Sequence, residues 1–277
     1  MIEIKNLSKR YSDGTKALEH VSLKLKKRVT CILGRNGAGK TTLTRIMSTQ
    51  LKPSSGTVVI NGLDIRDDVD EVRGRLSSIP QEVDPWDIAS PEEHIMMYLT
   101  ARGIGRHEAK RYAEESMKEL GLWEVRDKAM GDLSGGMKRK CFVAMALASQ
   151  AEVIFLDEPT TGLDPISRIE VWAALRKIKG TIVITTHYME EAKELSDEVV
   201  LIDKGRPVMQ GSVEELLRKF KGKVRVEGPA GRYRIGGMHI SYLTTAAAKR
   251  LVDKGYTIKQ VSLEDLFIIH GGGLIEG

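Results

Sequence analysis

The spacing of apolar residues changes several times along this 277-residue chain, and each change predicts a different element. Ile2 and Ile4, then Val21, Leu23 and Leu25, alternate with polar neighbours and predict two short strands around a turn at Ser12, Asp13 and Gly14. Residues 29–33, 153–156 and 181–186 are instead unbroken apolar or β-branched runs, the pattern of strands buried on both faces of a parallel sheet. A strand at 57–60 returns through Asn61-Gly62, a strong hairpin signal, to 63–65, and another short strand is predicted at 76–79. From 91 to 150 the spacing turns helical. Ser90 and Pro91 open a helix with Ile95, Met96 and Leu99 on one face, Gly103 and Gly105 break it, and two more helices follow at 107–120 and 138–149. Helices at 42–49 and 166–179 and a hairpin over 199–211 complete the larger part. Beyond Ser212, which caps a helix running to Phe220, strands at 223–227, 233–235 and 258–261 and helices at 244–253 and from 263 predict a small α+β region.

Composition narrows the class without deciding it. Hydrophobic residues make up 41% and charged residues 29%, ordinary for a globular protein, so disorder is not expected. The formal charge is +5, from 43 basic and 38 acidic residues, too mild an excess to argue for nucleic acid and no obstacle to docking near anionic lipid. No stretch approaches eighteen apolar residues and the N-terminus lacks the apolar core of a signal peptide, so a cytoplasmic location is expected. Cys31 and Cys141 form no metal-ligand spacing and read as small buried hydrophobes. The methionines scattered through 96–145 suit internal packing or a surface that must repack.

Chemistry enters at the ends of the buried runs. Gly34-Arg35-Asn36-Gly37-Ala38-Gly39-Lys40-Thr41-Thr42 fits G-x-x-x-x-G-K-[ST] between a strand and a helix, the context such a phosphate-binding loop requires. Glycines let successive N–H groups turn inward on phosphate oxygens, and the following helix adds the positive end of its dipole. Lys40 then reaches the β and γ phosphates and Thr41 offers a hydroxyl to Mg²⁺. The run at 153–156 ends in Asp157 and Glu158, of which the first suits Mg²⁺ and the second a general base for attacking water. Gln81 and His187 also stand at strand ends, where ligands of parallel sheets collect. Gln81 reads as a Mg²⁺ or water ligand or as a solvated loop residue, and His187 as a γ-phosphate contact or as structure. Tyr11 reads equally as a base-stacking ring or as a half-buried strand end. Ser134, Gly135 and Gly136 at a helix start form either a second anion cradle or a hinge.

Taken together and in this order, these pieces resemble the ATP-binding cassette ATPases, the nucleotide-binding subunits of ABC transporters, over residues 1 to about 215. Residues 34–42 match the Walker A loop, 153–157 Walker B with Glu158 as the adjacent glutamate, and 133–137 the signature. Gln81 matches the Q-loop, 162–164 the D-loop, His187 the switch histidine and Tyr11 the aromatic that stacks on adenine. The usual signature ends in glutamine, and Met137 stands there in this chain. The resemblance implies an α/β fold: a phosphate-loop NTPase (RecA-like) core with an antiparallel β-subdomain, an α-helical subdomain inserted at about 86–150, and a small α+β appendage at 216–277. It also implies hydrolysis of ATP with Mg²⁺ held by Thr41, Gln81 and Asp157, and catalysis by Glu158, His187 and Gln81. A second cassette, identical or not, is expected head to tail, together with a separate transmembrane permease that keeps the chain on the cytoplasmic face of the membrane. The segments at 90–94 and 262–267 look like the exporter branch, and the alternative is an ATPase acting on ribosomes or nucleic acid.

Overall fold

Alternation at the N-terminus builds β1 (Ile2–Arg10) and β2 (Lys16–Leu25), longer than their apolar cores suggest because bulges in the pairing carry both strands on to the turn. The computed structural model describes residues 1–270, and the end of the C-terminal region, 271–277, lies outside the described residues. The first buried run forms β3 (Val29–Leu33), followed by α1 (Lys40–Met47), the hairpin of β4 (Ser55–Ile60) and β5 (Leu63–Asp64), then α2 (Val69–Arg75) and β6 (Leu76–Ile79). The helical stretch contains α3 (Pro91–Ala101), α4 (Arg106–Glu119) and α5 (Gly135–Ala148). The remaining buried runs form β7 (Val153–Asp157), α6 (Pro165–Lys177), β8 (Thr181–Thr186), α7 (Met189–Leu195) and β9 (Glu198–Asp203), and an edge strand, β10 (Arg206–Gly211), follows. The chain divides into two compact units, Met1–Pro207 and Val208–Gly277.

In the first unit β1, β2, β4 and β5 form an antiparallel sheet in the order β2-β1-β4-β5. The second sheet holds β9, β3, β8, β7 and β6 in that order, all paired in parallel, so their C-terminal ends share one rim. Helix α1 touches β2 on one side and β7 and β8 on the other. Its Leu43, Ile46 and Met47 are fully buried in one cluster with Ile2, Ile32 and Phe155, each side chain contributing roughly 1.5–3 kcal/mol through burial. The phosphate-loop helix is thereby fixed between two sheets. Helices α3, α4 and α5 pack on one another through Ile95, Leu99, Ala113 and Met117, and α3 starts on a capping box between Ser90 and Glu93. Met117 and Met130 are core, whereas Met97 and Met137 are exposed. Both cysteines are free and buried, and burial pushes the Cys141 thiol up to about 12.

The second unit takes in the end of β10 and then holds α8 (Val213–Leu217), capped by Ser212, β11 (Lys223–Gly228), β12 (Tyr233–Ile235), β13 (Met238–Thr244), α9 (Thr245–Lys249), β14 (Thr257–Lys259) and α10 (Glu264–His270). Its sheet is antiparallel in the order β12-β13-β11-β14. A charged network ties strand to helix. Buried Asp265 accepts from Tyr242 Oη at 2.8 Å and from Ser262 N at 2.7 Å, and Arg225 bonds Glu227 and reaches Asp265. Every member of that network has its counterpart beside it, which is the mark of a structural cluster.

Candidate functional site: the carboxyl rim of the parallel sheet

The loop after β3 is shaped by contacts inside its own chain. Gly39 has φ +100, and a Cβ on it would lie 2.6 Å from the Ala17 carbonyl oxygen. A Cβ on Gly34 would lie 2.6 Å from the Ile202 carbonyl oxygen, so the loop runs against two backbones at once. Ala38 is tied on both sides, donating to Arg35 O at 3.1 Å and accepting from Gly205 N at 3.0 Å. No side chain caps α1, whose first N–H groups are therefore available to an anion, while Asn36, Gly37 and Thr41 are exposed. Thr42 is buried, and its Oγ1 lies 3.2 Å from the Tyr11 hydroxyl, which places that ring beside the loop.

Buried Lys40 points back along the loop, donating to Gly34 O at 2.9 Å and standing 3.4 Å from Arg35 O. Its ammonium also lies 3.4 Å from Glu158 Oε1, and both side chains are nearly inaccessible, at 6% and 4%. Glu158 follows the last residue of β7 in a left-handed conformation, φ +52, uncommon for a residue with a side chain. Its N–H donates to Thr185 O at 3.0 Å in the adjoining strand β8. Its Oε2 lies 2.6 Å from His187 Nδ1 and accepts from Thr161 Oγ1 at 3.1 Å. Asp157, also buried, accepts from Thr185 Oγ1. Lys40, Asp157 with Glu158, and His187, read from three separate stretches of sequence, thus meet on one rim.

Gln81 lies two residues past β6, beside β7, with its side chain exposed and its backbone carbonyl accepting from Arg139 Nη1 at 2.9 Å. The oxygen donors of Thr41, Gln81 and Asp157 form a hard donor set with one carboxylate, which fits an ion such as Mg²⁺ that keeps several waters and takes the rest of its ligands from phosphate. Among the described residues no group of three or more His, Cys, Asp or Glu could hold a metal by itself, so protein side chains alone do not build a metal cage there.

Ser134 stands apart from this cluster. It caps α5, its Oγ accepting from Met137 N at 3.2 Å, and it makes no hydrogen bond to residues 34–42. Ser134 and Gly135 are exposed, and Gly136 faces Leu163 of the turn before α6. That turn is closed by Asp164, which caps α6 by accepting from Ile166 N and Ser167 N, each at 3.0 Å.

Two buried charges here were not read from sequence. Arg139, on α5, donates to backbone carbonyls at the ends of both β6 and β7. Its place three residues before Phe142 and four before Val143, both buried, was the available signal. Glu191, on α7, is fully buried, accepting from Thr160 Oγ1 at 2.8 Å and Trp172 Nε1 at 3.2 Å, and burial holds its carboxyl above the usual range.

Residues 18–161 match the family model described as ABC transporter. Over 225 residues the chain is 36% identical to the daunorubicin resistance ATP-binding protein DrrA3 of Streptomyces coeruleorubidus, covering 80% of this chain and 71% of that protein. It is 38% identical over 213 residues to the retinal-specific phospholipid-transporting ATPase ABCA4 of Homo sapiens, spanning 76% of this chain but only 9% of that much longer protein. Among solved structures, a dimeric post-hydrolysis state of the ATP-binding cassette MJ0796 bound to ADP and Pi superposes with a TM-score of 0.70 at 25% identity, over 76% of this chain and 98% of that one. The cbiO1 protein of Clostridium perfringens, part of the ABC transporter complex cbiONQ, gives 0.69 at 30% identity over 79% and 90%.

Proposed function

This chain belongs to the ABC transporter family of ATP-binding cassettes, and from that premise we propose that it is the ATPase subunit of an exporter, working as one of a head-to-tail pair beneath a separate transmembrane partner. The observation that carries the reading is the placement of Glu158 between Lys40 and His187 at the sheet rim. The loop N–H groups and the N-terminus of α1 cradle the phosphates, and Tyr11 lies where a base can stack. An ammonium has three N–H donors, and two of the three Lys40 contacts are long, at 3.4 Å, so phosphate oxygens of higher charge displace them readily. Once Lys40 turns to phosphate, Glu158 loses its cation and Oε1 is free to accept a proton from water. That water attacks the γ-phosphorus, the bond to the β–γ bridging oxygen breaks, and ADP leaves with phosphate. His187, already 2.6 Å from Glu158, sits where it can donate to the γ-phosphate oxygens. Thr41, Gln81 and Asp157 hold Mg²⁺, which supplies charge neutralisation for the phosphates when bound.

Ser134 and Gly135 are exposed and Ser134 makes no hydrogen bond to this chain's own loop, which supports the use of Ser134, Gly135 and Gly136 on the nucleotide of a second cassette. Among the described residues no helix is long and apolar enough to cross a membrane, and a groove in which Ile88, Met96 and Met97 stand among charged residues such as Glu93, Arg106 and Lys110 is the surface offered to a transmembrane partner on the cytoplasmic side. Relatives named for drug resistance support export as the direction. Replacing Glu158→Gln tests the assignment: ATP binding is retained while turnover falls about a thousandfold, the scale of a lost general base. Turnover at the wild-type rate would remove Glu158 from that role.

A further inference from the structure

Arg139 has five N–H donors and five acceptors, and every acceptor is a backbone carbonyl. Nε donates to Pro159 O at 3.0 Å, Nη1 to Pro80 O at 3.1 Å and Gln81 O at 2.9 Å, and Nη2 to Asp157 O at 2.6 Å and Glu158 O at 2.7 Å. The side chain is 91% removed from solvent, a costly place for a charge with no carboxylate bonded to it. Burial lowers its pKa, and the nearby carboxylates of Asp157, Glu158 and Glu191 oppose that. An expensive, fully satisfied cation gripping carbonyls, where a neutral packing residue would fill the space, calls for a reason.

The reason lies in which carbonyls are held. Asp157, Glu158 and Pro159 are consecutive, and the middle one carries the left-handed backbone, a strained conformation that persists only where its surroundings over-determine it. Thr185 takes the Glu158 N–H and Arg139 takes the carbonyls on either side of the Glu158 α-carbon. Return of Glu158 to an extended or helical conformation would swing those carbonyls off the guanidinium, and it would turn the side chain away from Lys40 and His187.

We propose that Arg139 is a positioning residue for ATP hydrolysis: it holds Glu158 in the left-handed conformation that aims its carboxylate, and it ties that turn to the turn carrying Gln81 and to helix α5, which begins at the Ser134 cap. The proposal deepens the assignment of Glu158 as the base and rests on it. A lysine keeps the charge but has three donors on a single nitrogen and cannot span five carbonyls.

The test is a double-mutant cycle in the full chain with Arg139→Lys, Glu158→Gln and the pair, measuring kcat and ATP affinity separately. Arg139→Lys is expected to lower kcat about 100-fold, the usual consequence of misplacing a reacting group by an ångström, with ATP affinity changed by no more than about threefold. In the Glu158→Gln background the same change should cost no more than about twofold, because Arg139 acts through the group already removed. Additive losses, or wild-type kcat in Arg139→Lys while Glu158→Gln is inactive, would overturn this role and leave the assignment of Glu158 standing. Wild-type turnover in Glu158→Gln would overturn both. Arg139→Gln serves as a second variant: if it and Arg139→Lys both lose ATP binding and cooperative melting together with turnover, Arg139 serves the cohesion of the fold and the positioning role is wrong.

Discussion

Gly39 and Gly135 each stand at the start of a helix, yet the chain around them makes opposite demands. At Gly39 the backbone has φ +100 and a Cβ would lie 2.6 Å from the Ala17 carbonyl oxygen and 3.0 Å from Leu18 Cδ2, so the fold itself excludes every other residue. At Gly135 φ is ordinary and a Cβ would meet nothing within 4 Å. Alanine there would strengthen α5 by up to about 1 kcal/mol, so the glycine is a small standing cost to the chain's stability. A glycine demanded from within explains itself by the fold. A glycine that the fold does not need points to something approaching from outside, which is how the second cradle of a head-to-tail pair would use it.

The largest loss is expected at Gly39. Gly39→Ala forces a left-handed alanine onto a backbone oxygen, and the strain and overlap together are expected to cost about 2–4 kcal/mol and to abolish measurable ATP binding. Thermal melting and nucleotide titration of the full chain read both effects. A variant that melts with the wild type and binds ATP would mean that the loop relaxes freely, and the contrast with Gly135 would lose its first half.

Gly135→Met probes the second half. Methionine favours helix and the site is open, so melting should match or exceed that of the wild type and the affinity of a single chain for ATP should be unchanged. If the proposed pairing holds, hydrolysis and ATP-dependent pairing, measured by phosphate release and sedimentation, should fall about 100-fold and disappear respectively, since a side chain would fill the face proposed to meet the second nucleotide. Full activity in this variant would return the Ser134 segment to being a hinge.

How much of this was legible in the sequence follows from where each residue's partners lie. The runs that became β7 and β8 needed only themselves, being apolar or β-branched almost throughout, and they carried Asp157, Glu158 and His187 to the rim by chain continuity. Helix α2 buries only Val72, leaving no apolar period to detect, and α7 places the charged Glu191 on its buried face. Strand β13 follows Gly236-Gly237 and is mostly half-buried, so its alternation is faint. Arg139 stands between Lys138 and Lys140, and charge alone does not separate the three. Its acceptors lie 18 to 59 positions away, and only the pairing of β6 with β7 brings them to one guanidinium. The left-handed turn at Glu158 has the same origin, since its N–H is claimed by Thr185, 27 positions downstream.

The smallest effect is expected at Met137, where the usual signature glutamine is replaced. Ser134 Oγ accepts from the backbone N–H of residue 137, which any residue except proline supplies, so the cap that orients Ser134 is indifferent to this side chain. The methionine side chain is exposed, and methionine and glutamine have nearly equal helix propensity. Met137→Gln should therefore leave melting within the roughly 0.5 kcal/mol typical of surface substitutions and change ATP hydrolysis by less than about threefold. A larger gain in hydrolysis, with melting and single-chain ATP affinity unchanged, would show that the amide bonds something beyond its own chain. The second cradle would then be built from a side chain as well as from backbone and hydroxyl, unlike the first, and Met137 would mark where this chain gives up part of that contact.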